Sequence, residues 1–567
     1  MDLEAKPQES WASNRDGDGT DQECIKNAAS EPDKDAPPIL RLEVQDNPRQ
    51  YATGVRLWLI NFAAASIMFL ALLDSSIIST AIPVITSDFH SMLDIGWYGA
   101  AYQLANACMQ PLAGKFFTFF HSKPTFLVFF AIFEVGSLIC GLASSSKMLI
   151  FGRAIAGLGS SGVVNGVLAI VAGSVPLAKR PAVTGIGLGF SQLGLVLGPL
   201  VGGLLTEKSS WRWCFYINLP LGALFVFPIF FITVHGHATR PKDVPLFSFL
   251  CHKMDMIGFF LFAPAAIMFL MALQYGGNQF AWDSPVVLGL FCGSAVTLAI
   301  FLLVEHYKGK EALVPLAMIR RRIVWCSYLV MMFSIATSFC TSYFLPIYFQ
   351  AVMEASPVMS GVYLLPNIIA QLIGAVVAGV LVGKIGYYLP VSVFAGVLLT
   401  LGCGLISTYS PTATHVAWIG YQVVLGSGRG IGVQMPIIAL QNFLDSSEIA
   451  LGTSLLMFCH TIGGAIFLSS AEMIFTNGLR SLIPAYAPLV DPNAIIAAGA
   501  TSSGLLTAVD PSQLPGVLVA ICKSVNRVFY ITTGAGFAAF CFAWGMGWKD
   551  VRGRDDDFQA VGAENDE

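Results

Sequence analysis

The chain has 567 residues, of which 55% are hydrophobic and 12% charged, with a mean hydropathy of +0.68. Soluble domains carry about 25% charged residues, so this chain cannot cover an aqueous surface and most of it must face lipid. A net charge of −4 and the lack of any long lysine or arginine run exclude a nucleic-acid-binding surface.

In chain order, residues 1–52 come first, polar, acidic and rich in Asp, Pro, Ser and Asn, the composition of a disordered tail. No charged-then-apolar leader precedes the first apolar run, which would therefore serve as its own insertion signal. From 53 to 548, runs of roughly twenty apolar residues recur, each able to cross about 30 Å of hydrocarbon. They begin near Leu57, Ile95, Thr125, Leu149, Val183, Cys214, Ile257, Val286, Ile323, Gly361, Leu389, Val416, Leu451 and Val528, which predicts fourteen helices and an all-α integral membrane protein. The cysteines inside these runs, such as Cys108, Cys140, Cys326 and Cys340, have no paired spacing and read as small hydrophobes.

The breaks hold the charge: "HSK" at 121–123, "LAKRP" at 177–181, "ATRPKD" at 238–243, "KGKE" at 308–311, "IRRR" at 319–322 and "GWKDVRGR" at 547–554. Counted alternately, all fall on one side. The excess of Lys and Arg makes that side cytoplasmic, and with it both termini, including the polar tail 549–567. On the opposite side the long segment 477–526 has apolar patches too short to span, and is expected to lie as short helices on the outer face.

The run "LGLVLGPLVGG" at 193–203 carries Gly194, Gly198 and Gly202 four residues apart, a step of about 40° around a helix, so they form one smooth stripe. Gly203 follows directly, Gly185 and Gly189 extend the stripe, and Pro199 can kink it. Such a stripe lets a neighbouring helix approach to backbone contact in lipid, and tight packing alone would explain it. The full string resembles the G-x-x-x-G-P-x-x-G-G signature of antiporters in the major facilitator superfamily.

Three further strings resemble the fourteen-helix drug:proton antiporter branch of that superfamily. "LLDSSIISTAIPVI" (72–85) is similar to its first-helix L-D-x-T-I-V-N-V-A-L-P, with Ser76 and Ser79 at the Thr and Asn positions. "GRAIAGLGSSG" (152–162) keeps the fourth-helix R-x-x-x-G-x-G, and "WRWCFYINLPLG" (211–222) the motif that opens the sixth helix. The outer segment and "IGVQMPIIALQ" (431–441) are most like fungal efflux pumps for toxins and drugs. The resemblance implies two six-helix bundles, 53–235 and 323–548, joined by a linker, 236–322, with two extra helices. The cytoplasmic loop after the second helix departs from the family's G-x-x-x-D-R-x-G-R-K: "GKFFTFFHSK" keeps Gly114 and Lys123 but has Thr118 and Phe119 where the Asp and Arg stand. Its counterpart, "GVLVGKIGYY", keeps Gly379, Lys384 and Gly386.

Ionisable groups inside a membrane cost about 2.5–3.5 kcal/mol each even on the lenient insertion scale, so each is a functional candidate. Asp74, Glu134, Arg153, Arg429 and Glu472 qualify. The resemblance makes Asp74 and Arg153 candidates for proton coupling, with Glu134 beside them. A fixed Asp–Arg pair that only joins helices is the alternative. "GLGSSG" (157–162) is formally G-x-G-x-x-G but lies inside an apolar helix, no nucleoside-triphosphate loop occurs, and "HGH" at 235–237 lacks a third metal ligand. No cofactor, metal or enzymatic step is expected. The expected function is a monomeric plasma-membrane exporter of amphipathic small molecules, exchanged for protons. An importer or a non-transporting sensor on the same fold is the alternative.

Overall fold

In lipid every backbone polar group must be satisfied within the chain, which leaves helices as the solution for twenty-residue apolar runs. The computed structural model describes residues 55–90, 94–175, 179–231, 253–277, 280–445, 447–498 and 509–551. The tail 1–52, the "HGH" at 235–237 and most of the tail 549–567 lie outside the described residues.

The long helices are α1 (Val55–Phe89), α2 (Ile95–Phe119), α3 (Ser122–Gly141), α4 (Ser146–Ser174), α5 (Arg180–Lys208), α6 (Asn218–Phe231), α7 (Met256–Tyr275) and α8 (Pro285–Lys308). They continue with α9 (Arg322–Ile347), α10 (Leu365–Ile385), α11 (Leu389–Ile406), α12 (His415–Phe443), α13 (Ile449–Tyr486) and α14 (Leu514–Ala543). Thirteen helices among the described residues are long and apolar enough to cross a membrane. The remaining long one, α2, has 25 residues and carries Gln103, Asn106, Gln110 and Lys115, a polarity its position within the bundle accommodates. Local signals fix several ends. Ser145, Ser284 and Thr414 accept from the backbone N–H three residues on, capping α4, α8 and α12. Gly386 ends α10 in the left-handed region at φ 84°, which favours glycine.

Packing reveals a repeat. In the first bundle α1 lies along α5, α4 along α2 and α3, and α6 along α1. Moving each index by eight gives the second bundle: α9 along α13, α12 along α10 and α11, and α14 along α9. The bundles meet through α5 with α10 and α2 with α13, two contacts related by the same shift. α7 and α8 pack on each other, and α7 also on α2. α12, α4, α1 and α9 bury the largest shares of their apolar windows, 78%, 72%, 67% and 67%, and are the inner helices; α8 buries 17%.

The sequence expectation fails for segment 477–526. α13 runs on to Tyr486 and α14 begins at Leu514 rather than near Val528, so only Pro492–Ala498 is a separate short helix among the described residues there. Hydropathy falls before the helices end, because the polar residues on the extensions serve one another. Arg527 donates to Ser481 at 2.9 Å, and Lys523 to the Tyr486 hydroxyl. The sixth span likewise has two parts, a turn at Trp213–Tyr216 and then α6.

Candidate functional site

Asp74 sits in α1 and Arg153 in α4, two of the inner helices, and both are fully buried. Arg153 Nη1 donates to Asp74 Oδ2 at 2.6 Å, and its Nε donates to the Tyr98 carbonyl at 3.0 Å. The guanidinium lies over the Tyr102 ring, 4.5 Å from its centroid, and the Tyr102 hydroxyl donates to the Ala71 carbonyl at 3.1 Å. Charge, ring face and carbonyl together replace the water that both ions have lost.

The other Asp74 oxygen is held from α6. Asn218 Nδ2 donates to Asp74 Oδ1 at 2.9 Å and also lies 3.1 Å from Ser137 Oγ on α3. Glu134, one turn before Ser137, has both carboxyl oxygens buried without a hydrogen-bond partner. A Cβ on Gly222 would collide with the Glu134 carboxyl. Asn218 and Gly222 are one turn apart on α6, so the I-N-x-P-x-G string has a physical reading: its Asn grips Asp74 and its Gly leaves room for Glu134. Sequence reasoning missed Asn218, Ser137 and Tyr102 as parts of this site. The spacing of Asn218 and Gly222 on one helix face was the available signal.

The glycine stripe faces inward within its own bundle. Cβ atoms on Gly194, Gly198 and Gly202 would meet Phe69, Ser76 and Ile77 of α1, with Leu73 N 2.9 Å from the first and Thr80 Oγ1 2.7 Å from the last. Ser76 Oγ donates to the Gly194 carbonyl at 3.2 Å across this seam. Pro199 is half-buried in α5, and a Cβ on Gly203 would meet open space. The glycines that face the other bundle are Gly185, whose Cβ would lie 2.7 Å from the Ala375 carbonyl, and Gly189, 2.5 Å from Leu372 Cδ1, both partners being on α10.

Gly185 lies near the basic-loop end of α5, and that end is closed on the other side of the molecule too. A Cβ on Gly114 of α2 would stand 2.5 Å from Ser454 Oγ and 3.1 Å from Leu451 Cα on α13. Lys123 donates to the Phe230 carbonyl at 2.8 Å, within its own bundle. Thr118, standing at the family's Asp position, donates to the Gly114 carbonyl at 2.9 Å. In the matching loop Gly379 is buried in α10 and Lys384 exposed in its last turn.

Next to Gly114, Lys115 reaches the linker, donating to the carbonyls of Glu311 at 2.7 Å and Lys253 at 3.4 Å. There Asp255 pairs with Lys308 and accepts from Gly258 N at 2.9 Å and Leu313 N at 2.7 Å, while Glu305 accepts from Val314 N at 2.6 Å. Burial raises the Asp255 carboxyl, but hydrogen bonds from Lys308 and these backbone groups help to outweigh it and hold the acid below the usual carboxylate range. Sequence reasoning did not anticipate this cluster.

The remaining candidates do not join the Asp74 network. Arg429 lies in α12, buried against α9 and α10, and Glu472 is exposed on α13. The "GLGSSG" string is helix packing: Cβ atoms on Gly157, Gly159 and Gly162 would strike Tyr102, Phe133 and Phe129 of α2 and α3.

A doubled bundle of apolar helices with a buried ion pair between its inner helices defines a multi-pass membrane protein of the transporter class. The family model described as the Major Facilitator Superfamily matches residues 64–468. The chain is 52% identical to "MFS-type transporter pigP" of Monascus ruber over 89% of this chain and 88% of that protein. It is 45% identical to "Efflux pump mlcE" of Penicillium citrinum over 94% and 97% of the two chains. The structure resembles that of the proton:xylose symporter XylE bound to 6-bromo-6-deoxy-D-glucose, with a TM-score of 0.57 at 13% identity over 88% and 97% of the chains, a likeness of fold alone. The chain belongs to the Major Facilitator Superfamily and is a transporter, with efflux pumps of fungi among its relatives.

Proposed function

We propose that this transporter exports amphipathic small organic molecules in exchange for protons, with Asp74 as the proton-binding group. The observation that carries this reading is the ion pair of Asp74 and Arg153, fully buried between inner helices and bonded through Asn218 to a third helix. A buried pair of this kind adds little net stability, so its retention at a helix junction favours a working role. When a proton neutralises Asp74, Arg153 loses its counter-charge and keeps uncharged partners, among them the Tyr98 and Asp74 carbonyls and the Tyr102 ring, so the fit of α1 against α4 changes. Release of the proton restores the pair. Coupling this change to rocking of the bundles at the α5–α10 and α2–α13 seams gives alternating access.

The drive is adequate: about 2.3 kcal/mol per proton for 100 mV plus about 1.4 kcal/mol for one pH unit. Its charge asymmetry supports cytoplasmic termini, and we take the protein as a monomer in the plasma membrane. In proteoliposomes, efflux of the uncharged amphipathic dye Nile red should follow an imposed pH gradient, collapse with nigericin, and vanish in Asp74→Asn at equal incorporation. Uptake down the proton gradient would instead identify an importer, and gradient-independent movement would remove the proton from the mechanism.

A further inference from the structure

The second bundle also holds a buried guanidinium, but with no acid paired to it among the described residues. Arg429 is 6% exposed and lies at the midpoint of α12, helix His415–Phe443. It occupies a string, Gly428-Arg429-Gly430-Ile431, that parallels Gly152-Arg153-Ala154-Ile155 of α4, the helix related to α12 by the repeat. Arg153 meets Asp74 on α1. The helix corresponding to α1 is α9, and there Arg429 meets a serine: its Nε donates to Ser338 Oγ at 2.8 Å. Its Nη1 reaches Asn367 Oδ1 on α10 at 3.4 Å, and no carboxylate among the described residues pairs with it.

The backbone around Arg429 is fixed by close contacts. Cβ atoms on Gly426 and Gly430 would strike Asn367 and Gln371 of α10, and one on Gly428 would lie 2.8 Å from Leu399 N of α11. Arg429 is thus the long side chain of a tightly seated turn, directed at α9. One turn from Ser338 on the same face of α9, Ser334 Oγ is buried and has no hydrogen-bond partner. Ser338 uses its oxygen as an acceptor, which leaves its proton to donate.

A buried cation without a counter-ion is strongly unfavourable, and an unsatisfied buried hydroxyl adds to the cost. Both deficits are removed by one ligand: an anion that accepts from the guanidinium fork and from a serine hydroxyl. A monoanionic, planar carboxylate fits one guanidinium in the bidentate manner, whereas a phosphate dianion would call for a second cation. Arg429 stands at the midpoint of an inner helix of the second bundle, the depth at which transporters of this architecture bind cargo. We propose that Arg429, with Ser338 and Ser334, forms a subsite for a carboxylate group on the exported molecule, so that lipophilic acids are preferred over their neutral esters. This rests on the export reading above and narrows its substrate class.

The test is equilibrium binding of tritiated naphthaleneacetic acid and its tritiated methyl ester to full-length protein in nanodiscs, with empty nanodiscs as control. No gradient is present, so the result does not depend on proton coupling or on the direction of transport. The native protein should bind the acid about tenfold or more tightly than the ester, the difference expected for a charge-assisted pair. Arg429→Gln should remove this preference while leaving ester binding within about twofold, and Arg429→Lys should keep part of it. Ser334→Ala should weaken the acid alone. Equal affinity for acid and ester in the native protein, or no saturable binding of the acid, overturns the proposal without any variant having to fold. Parallel loss of both probes in Arg429→Gln assigns the residue to packing and also overturns it. Loss of the acid preference when methanesulfonate in the buffer is replaced by chloride assigns the site to inorganic anions rather than cargo and overturns the proposal.

Discussion

Arg153 Nη1 stands 2.6 Å from Asp74 Oδ2, and neither side chain is more than 1% exposed. Removing one partner of such a pair strands the other as an uncompensated charge, at a cost of about 3–5 kcal/mol, whereas removing both can be nearly neutral. Asp74→Asn should therefore lower the thermal midpoint in detergent and abolish proton-driven export. Asp74→Asn combined with Arg153→Gln should recover most of the midpoint and none of the export. Export restored in the double variant would reduce the pair to a helix fastener.

The two groups of α5 glycines should separate by phenotype. Gly198→Val drives its side chain into Ser76 inside one bundle, so membrane abundance should fall, as overpacking costs typically about 1–3 kcal/mol. Gly185→Val acts at the contact with α10 between bundles. A change of about 1.4 kcal/mol there shifts the conformational equilibrium about tenfold without threatening either bundle. It should leave abundance normal and export low. Immunoblots and vesicle export read side by side would refute the division if Gly198→Val proved abundant but inactive.

Glu134 offers a third variant, because its buried carboxyl oxygens have no partner that an amide would forfeit. Glu134→Gln should be at least as stable as the native protein. If Glu134 exchanges protons with Asp74 through the Asn218 and Ser137 side, the variant's export should lose its dependence on external pH. An unchanged pH profile would leave Glu134 outside the proton path.

Topology can be checked independently of transport. Epitope tags at both ends should be protected in intact cells, and one inserted near Ala500 should be labelled from outside. Tags of opposite accessibility at the two ends would require an odd number of spans.

Much of this protein is legible in the order of its residues, because hydropathy and charge act locally. Apolar runs of bilayer length specify helices. The ionisable residues Asp74, Arg153 and Glu134 stood out for the same reason, since each is costly in lipid wherever it falls. Local signals failed where helices outlast their apolar stretch, as at Tyr486 and Leu514, because there the polar side chains of α13 and α14 satisfy each other. What an isolated residue touches is a long-range matter and only the tertiary structure decides it. Packing put Asn218 on Asp74, gave the Gly194–Gly202 stripe to α1 and Gly185 to α10, and set Lys115 against the linker. It also distinguished two arginines that look alike in sequence: α1 brings Arg153 an aspartate, whereas α9 brings Arg429 a serine, so among the described residues one charge is paired with a carboxylate and the other is not.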